Sequence, residues 1–230
     1  MTSSGTYSFS ISNGEAVLDA FERCGIRMPQ LEQEHFFTAR RQINLMLTSE
    51  WSNRGVNLWK VQLNSQALTQ GTATYTLPSE VVMILDAYRS TTSGGVQTDI
   101  FMTPISRDDY AGYPQKQTQA PPTVYWFDRL ITPTVTLYPV PDSGGPYTLN
   151  YYALLQVQDA NIPSGETPDI PTRWFDCLCA GLAYRLARIY APALEDKRKT
   201  DYQDAWLAAS GEDLEQAPVR IIPRMMGYWS

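Results

Sequence analysis

Residues 51–59 read Trp51-Ser52-Asn53-Arg54-Gly55-Val56-Asn57-Leu58-Trp59, and the character of the chain changes across them. Before this junction apolar residues recur at helical spacing, and after Leu58 short alternating and β-branched runs take over. Gly55 supplies a helix stop. Upstream of it Phe36, Ile43, Met46, Leu47, Glu50 and Trp51 fall near one side of a helix predicted over residues 33–53. Earlier still, Ser12 and Glu15 have capping-box spacing, and Val17, Ala20, Phe21 and Cys24 follow at i, i+3, i+4 and i+7 before Gly25. With a turn at Pro29 between them, these two helices are predicted to pair antiparallel.

Downstream, strands are predicted over 59–63, 72–77, 81–88, 124–130, 135–138 and 147–155. The segments between them carry turn chemistry: Gln70-Gly71, Ser93-Gly94-Gly95, Pro121-Pro122 and Asp142-Ser143-Gly144-Gly145. One helical turn over 105–110, capped by Ser106 ahead of Asp108 and Asp109, interrupts the strands. A Pro-rich hinge at 162–171 then returns the chain to helix, with Thr172 as its expected cap. Trp174, Phe175, Leu178, Gly181, Leu182, Arg185, Leu186 and Ile189 trace a broad apolar stripe, which places this helix at the centre of a bundle. Pro192 opens a fourth helix over 193–209, carrying Tyr202, Ala205, Trp206 and Ala209 at the same spacing.

The fold class that follows is α+β: an antiparallel helical bundle of two helical hairpins, an inserted antiparallel β sandwich or barrel, and an extended C-terminal tail. The expected divisions are 1–56 for the first hairpin, 57–161 for the inserted β domain, 162–210 for the second hairpin and 211–230 for the tail.

Composition narrows the function classes. Fourteen Tyr and six Trp in 230 residues favour extensive interfaces, because these side chains suit surfaces with one dry and one wet end. A formal charge of −6 argues against a general nucleic-acid binder, which carries a basic footprint, yet suits a lumen through which DNA slides without sticking. Residues 1–13 are Ser and Thr rich with no apolar run, so neither a signal peptide nor a membrane span is expected. Three cysteines, Cys24, Cys177 and Cys179, read as free buried thiols in a reducing compartment.

Enzymatic schemes find little support. His35 is the single histidine, which removes every triad or metal scheme that needs two imidazoles. Cys177 and Cys179, two apart on a helix, point about 200° from each other and cannot share a metal. The carboxylate pairs Asp108–Asp109 and Glu166–Asp169 are the candidates for an acid and nucleophile of glycoside hydrolysis, but carboxylates at a helix start complement its dipole, and capping is the simpler role. Gly94-Gly95 and Gly144-Gly145 lack a following helix and read as turns, not phosphate loops. No catalytic, cofactor or metal site is assigned.

Two segments read as docking sites. The tail gathers Val219, Ile221, Ile222, Met225, Met226, Tyr228 and Trp229, with Pro223 blocking a long helix, and apolar residues so concentrated call for a partner. Lys197, Arg198 and Lys199 on the fourth helix form a basic run that faces solvent, an acidic partner or DNA phosphates.

Several strings in this order resemble the head-to-tail adaptor (connector) family of tailed phages, the group that includes tail tubular protein A of short-tailed phages. They are the 51–59 junction, Tyr75-Thr76-Leu77-Pro78 with Val81 and Val82, Ile105-Ser106-Arg107-Asp108-Asp109-Tyr110, Leu137-Tyr138-Pro139-Val140-Pro141, Pro168-Asp169-Ile170-Pro171, and Gly181-Leu182-Ala183-Tyr184-Arg185-Leu186-Ala187 in the third long helix. The resemblance implies a virion structural protein without enzymatic activity. It would form a homo-oligomeric ring of about twelve copies, a dodecamer closed by heterologous contacts. Its partners would be the portal protein above and a tail or nozzle protein below, with DNA passing through the lumen and no membrane contact. Its place would be the virion neck, assembled in the host cytoplasm. The alternatives are a carbohydrate- or receptor-binding virion module, with Tyr113, Tyr125, Trp126 and Tyr138 as a sugar platform, or a connector that hydrolyses peptidoglycan.

Overall fold

A computed structural model describes residues 4–55, 57–162 and 165–213 of the chain. Helix α1 (Asn13–Arg23) opens on the predicted capping box: Ser12 Oγ accepts from Glu15 N–H at 3.2 Å, and Glu15 Oε2 accepts from Ser12 N–H at 2.8 Å. Helix α2 (Gln33–Asn44) begins where expected but does not run on as a regular helix to Asn53. A π-helical segment, Leu45–Glu50, and a 3-10 turn, Trp51–Asn53, complete it.

The reason for the widened turn is tertiary. Asn44 exchanges two bonds with the backbone of Ala160, at 3.0 and 2.8 Å, and Ser52 Oγ accepts from Val157 N–H at 3.0 Å while donating to Leu47 O at 2.9 Å. An i→i+5 segment holds both residues against the 157–160 connection while Ile43, Met46, Leu47 and Trp51 stay in the core.

Helix α4 (Phe175–Tyr190) lies at the centre of the helical layer, as its stripe predicted, and contacts α1, α2 and α5 (Glu195–Glu212). The first two helices pack on α4 more than on each other, so the layer is organised around α4 and not as two separate hairpins. Leu178, Leu182 and Leu186 are fully buried, each contributing roughly 1.5–3 kcal/mol by removal from water. Ile189, in the last turn of α4, is exposed instead. Thr172 is not the cap: it starts a 3-10 turn (Thr172–Trp174) in which Trp174 N–H bonds to the Pro171 carbonyl at 2.9 Å.

The β region holds seven strands: β1 (Val61–Leu68), β2 (Thr74–Thr76), β3 (Val81–Ser93), β4 (Val96–Pro104), β5 (Val124–Asp128), β6 (Thr134–Tyr138) and β7 (Tyr147–Leu155). They form one curled, half-barrel sheet in the order β1-β7-β3-β4-β5-β6-β2, nearer the barrel than the sandwich of the two expected forms, and the parallel β4–β5 pair makes it mixed where a purely antiparallel sheet was expected. Two irregularities in the β3–β7 pairing, between Val81 and Met83 and between Ile84 and Asp86, bend it. Strand β4 stands where no strand is predicted. Gly94 (φ 58°) and Gly95 (φ 81°) close the β3–β4 hairpin with φ positive at both central positions, the form that matches strand twist. The predicted turn over 105–110 is the short helix α3 (Arg107–Gly112), with Ser106 and Asp109 in a reciprocal cap. A second core of Tyr75, Leu77, Met102, Tyr125, Val135, Leu137, Leu149 and Tyr151 fills the curl of the sheet.

Candidate functional site

The junction residues converge on a polar cluster set into the helical core. Trp51 Nε1 donates to the Tyr202 hydroxyl at 2.9 Å, and that hydroxyl donates to Glu50 Oε1 at 2.8 Å. Arg185 binds Glu50 Oε2 at 2.6 Å, Arg54 approaches Oε1 at 3.3 Å, and the Arg54 guanidinium sits 4.0 Å from the Trp206 ring centre. Trp51, Trp174 and Trp206 meet pairwise with centroids 5.0–5.6 Å apart. Burial, with the Glu50 carboxylate close by, pushes the Tyr202 hydroxyl well above its ordinary value. One carboxylate here pairs with two guanidiniums, Arg185 of α4 and Arg54 beyond the α2 segment, and accepts from Tyr202 of α5, an arrangement that fixes helices and has the marks of a structural hub. Asn57 Nδ2 donates to the Trp51 carbonyl at 2.9 Å and carries the hub on toward β1.

The other titratable groups have structural work to do. Asp109 accepts from Ser106, whose hydroxyl and backbone N–H hold its carboxyl below the usual range. Asp169 forms an ion pair with Lys60 and accepts from Gln158 N–H at 3.1 Å, while exposed Glu166 holds Asn13 N–H with its backbone carbonyl. His35 Nδ1 accepts from Glu32 N–H at 3.0 Å, and its ring packs on Phe21 and Tyr190, so it serves the N-terminal cap of α2. Burial pushes the thiols of Cys177 and Cys179 up to about 12. Among the described residues no three His, Cys, Asp or Glu side chains gather as metal ligands, and no helix is long and apolar enough to cross a membrane.

Three of the four aromatics of the sugar-platform alternative, Tyr113, Trp126 and Tyr138, meet through Tyr110 in one half-buried cluster, and the fourth does not join them. Tyr125 is buried in the sheet core, Tyr113 stacks on Tyr138 at 4.0 Å, and Trp126 lies under Tyr110, with Arg107 5.6 Å from its ring centre. Exposed apolar side chains collect elsewhere. Met28 and Phe37 flank a cleft of about 430 Å³ between α1 and α2, Leu130 and Ile131 cap the β5–β6 turn, and Val96, Ile100 and Phe101 lie along β4. Such separated patches suit a protein with several partner surfaces.

The model of the SU10 adaptor protein family matches residues 31–222. The chain belongs to the SU10 adaptor protein family. No curated protein matches it. Within this SU10 adaptor the matched span takes in the whole hub, the seven-stranded sheet and α3 to α5. The assignment makes the chain a phage adaptor, a structural protein of the virion, in accord with the resemblance read from the 51–59 junction and the α4 string.

The basic run and the apolar tail differ in the SU10 adaptor structure. Lys197 and Lys199 are exposed, but Arg198 between them folds back to Asp201 at 2.8 Å with its side chain only 14% exposed, so the run is not one continuous basic patch. The tail residues Val219, Ile221, Ile222, Met225, Met226, Tyr228 and Trp229 lie outside the described residues. The signal that could have revealed the hub was present in sequence, since Glu50, Trp51 and Arg54 share a helical side and Tyr202 and Trp206 are four apart; only the pairing between them is non-local.

Proposed function

We propose that this adaptor is of the tail tubular protein A type, and that it forms a homo-oligomeric ring of about twelve copies below the portal in the virion neck. The ring joins the DNA-filled head to the tail or nozzle protein and continues the DNA channel. The observation that carries this reading is the family match over residues 31–222. Separated exposed apolar patches support it, because a connector must grip two different surfaces and its own neighbours. The acidic balance, −6, suits a bore along which DNA slides.

In this reading segments 1–56 and 162–210 build the helical body, 57–161 forms an inserted β domain, and 211–230 is an extended docking tail. Val219, Ile221, Ile222, Met225, Met226, Tyr228 and Trp229 anchor the tail to the portal or to a neighbouring subunit, and Lys197 and Lys199, with Arg198 between them, face the portal or DNA. Assembly takes place in the host cytoplasm and needs no cofactor. The test is to mix the purified chain with the portal ring of its own phage and weigh the product, with and without residues 219–230. Stoichiometric ring formation that weakens on truncation is expected. No binding by the full-length chain would overturn the reading.

A further inference from the structure

The β3–β4 hairpin carries a row of backbone groups with no strand beside it. Thr103 donates its N–H to Thr123 O at 3.1 Å and Ile105 to Tyr125 O at 2.8 Å, both on the side of β4 away from β3. Strand geometry alternates, so the N–H and C=O groups of Gln97, Asp99 and Phe101 point the same way. Strand β5 reaches β4 only at Thr103 and Pro104, and Val96 to Met102 pair with β3 alone among the described residues. Across this part of the sheet the opposite edge is β1, whose Val61–Leu68 pair with β7 alone.

Neither edge has the usual defences against strand addition. Val61 to Leu68 carries no charged residue, Val96 to Met102 carries Asp99 only, and neither contains Pro or Lys. Both pairings run without a bulge. Val96 (67%), Phe101 (61%) and Leu63 (44%) stand out into solvent along them.

A chain of polar side chains crosses the sheet from one edge to the other. Ser65 Oγ donates to Asn150 Oδ1 at 2.6 Å, Asn150 Nδ2 to Ser90 Oγ at 2.7 Å, and Ser90 Oγ to Asp99 Oδ1 at 2.5 Å. Its ends are a hydroxyl on β1 and a carboxylate on β4. That carboxylate decides between partners. Antiparallel pairing of β4 with a second β4, centred on the outward-facing residues 97, 99 and 101, would set two Asp99 carboxylates opposite each other, a destabilising like-charge pair. The uncharged β1 edge imposes no such repulsion. Joining two different edges is also a heterologous contact, the kind that closes rings.

We propose that Val96–Met102 of one copy pairs with Val61–Leu68 of the next, so that the sheet continues from subunit to subunit around the ring. This inference rests on the ring reading above. When a sheet continues, its faces are kept, so Phe101 would lie beside the face of β1 that carries Leu63, Ser65 and Ala67, and away from the face that carries Asn64 and Gln66.

The test uses the full chain with Phe101→Cys combined in turn with Leu63→Cys, Ser65→Cys or Ala67→Cys, and with Asn64→Cys or Gln66→Cys as opposite-face controls. The native cysteines are buried. Each variant is assembled on the portal ring, the ring mass is checked, and a short bis-maleimide is added. A ladder of covalent oligomers from at least one same-face pair, absent from the controls, is the expected result. Rings of correct mass with no ladder from any same-face pair overturn the edge pairing and leave the ring reading standing. A dimer from Phe101→Cys alone shows β4 meeting β4 and also overturns it. Failure of the unmodified chain to form a ring sinks the ring reading, and this inference with it.

Discussion

The Trp51 indole and the Tyr202 hydroxyl, 151 residues apart, are joined by a 2.9 Å hydrogen bond, and the same hydroxyl donates a hydrogen bond to Glu50 at 2.8 Å. This single oxygen therefore ties the end of the α2 segment to α5 across the centre of the helical layer. Trp51 is 1% and Tyr202 5% exposed, so water does not replace the bond between them. Tyr202→Phe leaves the Trp51 donor buried without a partner, and we predict a loss of about 1–3 kcal/mol in stability by denaturant titration. An unchanged midpoint would show that the hub contributes nothing.

Close packing of α4 on its neighbours depends on Gly181. A Cβ there would lie 2.7 Å from Met46 Sδ and 2.8 Å from Tyr202 Cε2. Methionine can yield, but the Tyr202 ring is held by its two hydrogen bonds. Gly181→Ala is expected to destabilise by about 1–3 kcal/mol despite alanine's better helix propensity. Stabilisation on heating would mean that α4 and α5 separate more easily than their contacts suggest.

Alkali should weaken the fold through its buried thiols. Cys177 and Cys179 rise from an ordinary 9.0 to about 12, chiefly by burial. The folded chain holds these protons more tightly than the unfolded one, so their contribution is full below about pH 9 and is lost as pH climbs toward 12. Stability measured across that range should fall, and fall less steeply in a Cys177→Ala, Cys179→Ala variant. Tyr125, also raised to about 12 by burial, keeps the slope from vanishing.

The reciprocal cap at α3 should report in the opposite direction. Ser106 lowers the Asp109 carboxyl from 3.8, mostly through its hydroxyl and then through its backbone N–H. A lowered value in the folded chain means stabilisation that is present above the ordinary carboxylate range and lost as pH falls through it. In Ser106→Ala the Asp109 titration followed by NMR should move up toward 3.8; no movement would show that the hydroxyl is not its main partner.

Local signals were legible in the sequence and non-local ones were not. The capping box at Ser12, the cap at Ser106, the glycine turn at Gly94-Gly95 and the stripe of α4 up to Leu186 depend on residues within a few positions of each other, and each stands where its pattern placed it. Strand β4 escaped notice because nearly all of it is exposed on both faces, which leaves no alternation to read. The π segment after α2 answers to Ala160 and Val157, more than a hundred residues away, and no local spacing encodes that demand. The choice between sandwich and barrel stays open in the sequence, because β1 pairs with β7 and β2 with β6, partners that periodicity cannot choose. The hub is spread over segments far apart in sequence, residues 50–54, Arg185 and Tyr202 to Trp206, and only the fold brings them into contact.

The central claim, an adaptor ring between portal and tail, is tested most directly by a cryo-EM reconstruction of the neck of the phage that encodes this chain. The account predicts a closed ring of this fold directly below the portal, with the curled sheets side by side and a continuous bore through its axis. A neck built from other chains, with this protein at a fibre tip or absent from the particle, would contradict it.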